Sequence, residues 1–266
     1  MALEFIKLVK GNSPVAQVGS LGFFKLGVES SGGGGDLDRV FGNNTPEQIA
    51  AVSAEISANN MTSAQVAETY GWNIGDTIDI TLTTGEAIQM RIIGFNHDDK
   101  IDGGKAGITL EMINCLNTAY IMRNDGTNYG GWAGSIVSAI LKDTVKPTLP
   151  IEWQNVIKTV YKNTADGGGS NFTGVYAYKD DLFLLSLFEL SSGTGGQAAT
   201  EEGSQYEYWV GKSDADRIKT VGGNAYYWWT RTCATNTTRF RVCNSSGGVT
   251  TATGNTGCGV SFAFCV

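Results

Sequence analysis

The sequence predicts an α+β protein, and three observations carry that prediction. Helical and strand periodicities occupy separate stretches, the strand stretches are short alternating runs joined by turn residues, and glycine far outnumbers proline. There are 36 Gly and only 4 Pro in 266 residues, so the turns rely on the residue that accepts positive φ. Charged residues make up 17%, against about 25% in an ordinary domain. Disorder needs high charge and few aromatics, and with 10% aromatic residues the chain has neither. It is long enough to bury a sizeable core.

Residues 1–35 read as short strands or irregular segments that end in Ser30-Ser31-Gly32-Gly33-Gly34-Gly35, a flexible linker. As a phosphate loop this run lacks the Gly-Lys-Ser/Thr that would follow, and Asp36 and Asp38 would repel the anion. Thr45-Pro46-Glu47 opens a helix with a capping hydroxyl and Pro at the first turn, and Ile49, Val52 and Ile56 share its buried face. A second helix is expected over 62–70, capped by Thr62 or Ser63 and ended by Gly71. The period then changes to two: 77–82 and 88–92 alternate around Thr83-Thr84-Gly85-Glu86, a hairpin with one buried face. Residues 131–142 are expected to be helical, with Ile136, Val137, Ile140 and Leu141 inward. Leu149-Pro150 opens a further helix, in which Trp153, Val156, Ile157 and Val160 share a face. A glycine-rich loop at 164–173, a buried strand at 182–187 and a polar loop at 193–203 follow.

Several function classes are disfavoured. The net charge of −7 argues against nucleic acid, whose phosphates call for clustered Lys and Arg. The opening Met1-Ala2-Leu3-Glu4 does not look like a signal peptide, and no apolar run reaches membrane-spanning length, so a protein made in the cytoplasm without membrane insertion is expected. The five cysteines (115, 233, 243, 258 and 265) include no CxxC, and a single His accompanies them, which disfavours zinc; Cys115 is expected to be a small buried hydrophobe. That His, His97, lies beside Asp98 and Asp99. The pair is expected to be a hydrogen-bonded hairpin end rather than an acid–base site. Asp98, Asp99 and Asp102 offer oxygen ligands for calcium, but without EF-hand spacing. No cofactor or metal is expected.

The last 46 residues differ in composition. From 221 to 266 there is no Asp, Glu, Lys, Gln, Met, His, Leu, Ile or Pro; half of the positions are Thr, Ser, Asn or Gly. The only charges are Arg231, Arg239 and Arg241, so this tail is +3 and the remainder, with 16 bases and 26 acids, is −10. Aromatic and Val anchors (Tyr227-Trp228-Trp229, Phe240, Val242, Val260, Phe262, Phe264) alternate with small polar residues, and Gly247-Gly248 and 257–259 supply turns. Short strands pinned by aromatic anchors, with adaptable hydrogen-bonding groups outward, form a recognition surface of low ordering cost.

Trp228-Trp229-Thr230-Arg231-Thr232, Phe240-Arg241-Val242, Gly247-Gly248 and Gly259-Val260-Ser261-Phe262-Ala263-Phe264 resemble the closing pattern WWLRS, F-x-V, glycine turn, GV-x-x-AF. That pattern marks a domain family of unknown function from Firmicutes and their phages, related to the C-type-lectin-like (formylglycine-generating-enzyme-like) fold. Upstream, Gly75-Asp76-Thr77, Gly94-Phe95-Asn96-His97-Asp98, Gly131-Trp132, Leu149-Pro150, Val160-Tyr161-Lys162, 181–186 and Gln205-Tyr206-Glu207-Tyr208 fit in the same order, so the resemblance covers about 70–266. Thr230 and Thr232 stand where the family has Leu and Ser.

The family is similar to the variable proteins of diversity-generating retroelements, whose surface residues are rewritten by adenine-directed mutagenesis. Rewritten Asn codons do not yield Lys, Glu, Gln, Met or Trp. The tail lacks the first four and has only the framework Trp pair, though permitted Leu, Ile, His, Asp and Pro are missing too. The resemblance implies a C-type-lectin-like display domain over 71–266, and a small N-terminal extension over 1–70 that docks to a virion or oligomerises. It implies a non-enzymatic, virion-associated adhesin for a host-surface protein or glycan. The contacts would be Tyr226, Thr230, Thr232, Asn236, Arg239, Arg241, Asn244, Ser246, Thr251 and Asn255, on a framework of Trp228, Trp229, Phe240, Gly259, Phe262 and Phe264. Cys233 and Cys243 would then be products of variation in a surface and Cys265 framework, with any disulfide pairing among the four tail cysteines left open. Cys258 and Cys265 superficially imitate the cysteine pair of the formylglycine-generating enzymes. The alternative is a structural virion protein with no ligand of its own.

Overall fold

The computed structural model describes residues 36–266 apart from 193–194 and 197–198, with only the backbone of residue 199. The expected linker and first segment, 1–35, lie outside the described residues. Two helices come first, α1 (Pro46–Ala58) and α2 (Ser63–Tyr70), and each begins at a reciprocal capping box, Thr45 with Gln48 and Thr62 with Gln65. Gly71 ends α2 in the left-handed conformation. The strands β1 (Thr77–Thr81) and β2 (Ala87–Phe95) form the expected hairpin, and β3 (Ile108–Met112) adds to it.

The middle of the chain is shorter in regular structure than its periodicity predicts. The helix expected over 131–142 starts only at Ser135, whose hydroxyl accepts the Ser138 amide, because Gly130 and Gly131 take positive φ. The result is α3 (Ile136–Ile140), continued by a π turn over Leu141–Val145. Leu149-Pro150 does open α4 (Ile151–Val156), but Val160 begins a strand instead of completing the helical face. That strand is β4 (Val160–Ala165), paired with β5 (Val175–Asp180). The strand expected over 182–187 is only β6 (Leu182–Phe183), because Ser186 and Glu189 make a third capping box that starts α5 (Leu187–Ser191). The C-terminal part contributes β7 (Lys219–Val221), β8 (Asn224–Tyr226), β9 (Trp228–Cys233), β10 (Arg239–Cys243), β11 (Val249–Thr253) and β12 (Ala263–Cys265).

Every strand pair is antiparallel, and the helices stand apart in sequence from the strands they cover, so the structure is mixed helix and sheet as expected of the α+β class. The main sheet runs β1-β2-β3-β12-β6 and a second runs β11-β10-β9; β4-β5 and β7-β8 are hairpins. The last strand is therefore not peripheral. β12 lies between β3 and β6, with Phe264 opposite Leu110 and Leu182 and edge-on to Trp153 at 5.6 Å. The Val266 amide donates to the Ile108 carbonyl at 2.9 Å, and the Ser53 hydroxyl of α1 donates to the Val266 carbonyl. Gly107 permits this docking: a Cβ there would sit 1.9 Å from the Ser53 carbonyl oxygen.

The boundary expected at 70/71 is corrected. Ile49, Val52 and Ile56 of α1 and Val66 of α2 are fully or almost fully buried in the same core as β1–β3 and β12, and the contact-defined unit spans 36–266. Both helices belong to this body because their apolar faces are buried in its core. Removing them takes these four aliphatic side chains out of the core, each worth roughly 1.5–3 kcal/mol when buried. A fragment of residues 36–266 is expected to unfold in one cooperative transition, whereas 71–266 melts far lower or without cooperativity. Circular dichroism melts of the two fragments check this, and equal midpoints would refute it.

Candidate ligand-contact surface

The tail is built on a buried aromatic frame. Trp228 and Trp229 are fully buried, and their indole N–H groups donate to the carbonyls of Arg217 (2.9 Å) and Tyr120 (2.8 Å). Phe240 meets Trp229 edge-on at 6.0 Å, and Phe262 stacks near Phe264 at 6.5 Å. Gly259 bridges the frame: its amide donates to the Tyr227 carbonyl (2.7 Å) and its carbonyl accepts the Trp229 amide (3.0 Å). A Cβ at Gly259 would lie 2.7 Å from the Cys115 sulfur, so no larger residue fits without displacement.

On β10 the expected alternation holds. Phe240 and Val242 point inward, and Arg239 and Arg241 point outward opposite Thr253 and Thr251 of β11. On β9 it fails. Phe240 pairs with Cys233 and Val242 with Trp229, so three residues of β9 oppose the single Arg241. This bulge turns Thr230, Arg231 and Thr232 into the body, where all three are fully buried. The Thr230 hydroxyl donates to the Arg241 carbonyl at 2.9 Å. The Thr232 hydroxyl accepts the Leu187 amide at 2.8 Å and donates to the Glu202 carboxylate. Thr230 and Thr232, expected as contacts, are therefore corrected to framework: neither hydroxyl is left for a ligand. Cys233 and Cys243 are corrected likewise. Both are fully buried, not surface residues, and Cys233 packs near the carbonyls of Asn128 and Ala165.

The other eight expected contacts reach solvent. Tyr226, Asn236, Arg239, Ser246 and Asn255 are exposed, and Arg241, Asn244 and Thr251 are half-buried. Tyr227, not expected, joins them. Two of the asparagines also shape turns. Asn236 Oδ1 accepts the amides of Thr238 (3.1 Å) and Arg239 (2.9 Å), and Asn244 Oδ1 those of Ser246 (2.9 Å) and Gly248 (3.0 Å). The β9–β10 turn is latched from below by buried Asn128. Its Nδ2 donates to the carbonyls of Asn236 (2.7 Å) and Arg239 (2.8 Å), and its Oδ1 accepts the Gly168 amide (2.9 Å). Nothing in the tail's composition points to Asn128, which is distant in sequence.

Beneath the surface lies a buried ionic network. Arg231 grips Glu189 with both terminal nitrogens and also donates to the carbonyls of Leu184 (2.9 Å) and Glu202 (2.5 Å). Lys162 lies 2.6 Å from both Glu189 and Asp98 and 3.0 Å from the Tyr206 hydroxyl. Burial alone would raise the carboxyl of Asp98, but Lys162 and then His97 hold it well below the usual range; Arg231 and Lys162 likewise hold Glu189 down. Glu202 is different. Burial pushes it up to about 7 despite Arg231 and its bonds to Ala165 and Thr232. A second buried cluster joins Glu111 to Lys219 (2.7 Å) and Arg91 (3.2 Å), with Trp209 donating to the same carboxylate at 3.1 Å.

The other residues singled out from the sequence have structural partners. The His97 ring stacks on Tyr206 at 3.8 Å, and its Nε2 lies 3.1 Å from the Ser204 carbonyl and hydroxyl. Asp98, Asp99 and Asp102 each face a lysine, at 2.6 Å (Lys162), 2.7 Å (Lys105) and 3.9 Å (Lys100). All five cysteines are buried free thiols. Cys258 bridges to Tyr120, whereas Cys265 sits beside Thr109 and Asp98.

The profile of a protein family described as a domain of unknown function (DUF6273) matches residues 106–266, well over half of the chain. The chain belongs to that family. Its match begins between β2 and β3, so the family region takes in the aromatic frame and the whole contact surface but not Asp98 or Arg91. No curated protein matches the chain, and no solved structure does.

Arg231→Met strands Glu189 without its main partner and is expected to cost roughly 3–5 kcal/mol. Arg239→Met, at the surface, should stay within about 0.5 kcal/mol of the parent. Urea titrations of the two variants test this, and equal costs would overturn the assignment of one arginine inside and one outside. Glu202 makes stability depend on pH. Its folded value lies above the ordinary 4.5, so its contribution is full below 4.5 and is lost as pH rises through about 7. The loss amounts to roughly 3 kcal/mol. Between pH 5 and 8 the urea midpoint of the parent should fall more steeply than that of Glu202→Gln; parallel curves would count against it.

Proposed function

We propose that this protein is a non-enzymatic receptor-binding protein of a bacteriophage or prophage, a retroelement variable protein with a C-type-lectin-like display domain. The display body takes in residues 36–266, and the segment before it attaches the protein to the virion or to further copies. The ligand is a host-surface protein or glycan, met by Tyr226, Tyr227, Asn236, Arg239, Arg241, Asn244, Ser246, Thr251 and Asn255. One observation carries this reading: outward side chains of the tail are Asn, Ser, Thr, Tyr and Arg that reach solvent, while the residues between them are locked into aromatic and ionic packing. Substitutions outside that packing leave the fold alone, which is what a diversifiable surface requires.

The reading separates positions that vary from positions that do not. In sister isolates carrying this gene, changes should gather at Tyr226, Tyr227, Arg239, Arg241, Ser246, Thr251 and Asn255. Asn236 and Asn244 should tolerate fewer residues because their side chains hold turns. Trp228, Trp229, Thr230, Arg231, Thr232 and Phe264 should be spared. Sequencing the tail from such isolates checks this, together with the flanking DNA for a retroelement. Changes spread evenly over buried and exposed positions would sink the proposal.

A further inference from the structure

The two outward arginines of β10 differ from Arg231, the third cation of the tail, in having no acid partner among the described residues. Arg231 is spent on Glu189, and Arg217, just upstream, on Asp214. Among the described residues, neither Arg239 nor Arg241 forms an ion pair. Arg239 reaches only the Thr251 hydroxyl, at 3.3 Å. Arg241 is more telling. Its guanidinium makes no hydrogen bond among the described residues, its Nε is buried without a partner, and desolvation lowers its pKa with no carboxylate to offset it. The backbone at Gly195 lies against it, where an added Cβ would come within 2.7 Å of Nη2. A half-desolvated guanidinium with unfilled donors is costly unless an anion completes it. Arg239 and Arg241 alternate on one face of one strand, so their side chains are neighbours about 7 Å apart along it.

The surroundings narrow the class of anion carrier. Thr253 and Thr251 lie opposite the pair, Asn236 accepts the Arg239 amide, Asn255 accepts from the Thr253 hydroxyl, and no large apolar side chain on β10 or β11 is exposed. A protein partner would need an aromatic or aliphatic anchor at the centre of its footprint, and the exposed Tyr226 and Tyr227 stand before β9, off the strands that carry the pair. A polyhydroxylated chain needs paired donors and acceptors, which this face supplies. The net charge of −7 repels polyanions at long range, so an acidic ligand must be recognised locally.

We propose that Arg239 and Arg241, with the hydroxyl of Thr251, form a subsite for the anionic group of an acidic glycan, a carboxylate or a phosphate ester. The proposal rests on the reading of this face as a ligand-contact surface and specifies its ligand chemistry. The test uses the full chain with three probes: galacturonic acid oligomers (carboxylate), glycerol phosphate oligomers (phosphodiester) and maltooligosaccharides (neutral), followed by calorimetry at low and high salt. At least one anionic probe is expected to bind, with the neutral one absent or weaker and affinity falling as salt rises. Arg241→Gln and Arg239→Gln should each weaken that binding by about tenfold to a hundredfold while leaving the melting temperature unchanged. Which anionic probe binds identifies the source of the charge. Failure of both anionic probes, or binding indifferent to both substitutions, overturns the subsite. If the neutral probe binds and is lost in Tyr226→Ser or Asn255→Ala but not in the arginine variants, the contact surface stands and the anion subsite alone falls.

Discussion

The structure depends on a charge that water never reaches. Arg231 comes from the tail, Glu189 from the cap of α5, Lys162 from β4 and Asp98 from the loop after β2, and the four meet in one buried network. Taking such groups out of water costs several kcal/mol each, and only dense pairing and hydrogen bonding offset it. Two cations here face two carboxylates at short range, and the remaining guanidinium donors fall on the carbonyls of Leu184, Asn163 and Glu202. The set is closed without Glu202, which is why that fifth group titrates near neutrality while Glu189 does not. A network closed in this way accepts only one relative placement of β4, α5 and β9, so it fixes the platform on which β10 and β11 are displayed.

The same closure explains the division between fixed and free positions in a segment of monotonous composition. Threonine occurs at 230, 232, 251 and 253, and composition treats these alike. The bulge opposite Arg241 separates them: the first two satisfy a backbone carbonyl, a backbone amide and Glu202, whereas the others lie on the outer strand. The three arginines divide in the same way. The proposed recognition face needs variable side chains that carry no structural duty, and Tyr226, Tyr227, Ser246 and the outward arginines meet that condition. Asn236 and Asn244 differ from these, because their amide oxygens organise turns.

Much of this was legible in the residues themselves. Capping hydroxyls at Thr45 and Thr62 determined where the first helices start, period-two runs determined the β1–β2 hairpin, and aromatic spacing marked Trp228, Trp229, Phe240, Phe262 and Phe264 as the frame. These features depend on neighbours a few residues apart, so local sequence contains them. The Ser186-x-x-Glu189 box was equally local and would have placed α5 within the stretch that apolar content made look like a strand. What only the tertiary structure decided was anything set by partners remote along the chain. The insertion of β12 beside β3, the burial of Thr230, Arg231 and Thr232, the latch from Asn128 and the inclusion of α1 and α2 in the same core are of this kind. An arginine carries the same charge in either environment, and whether it faces water or Glu189 is decided by a carboxylate 42 residues away, which no periodicity within the tail encodes.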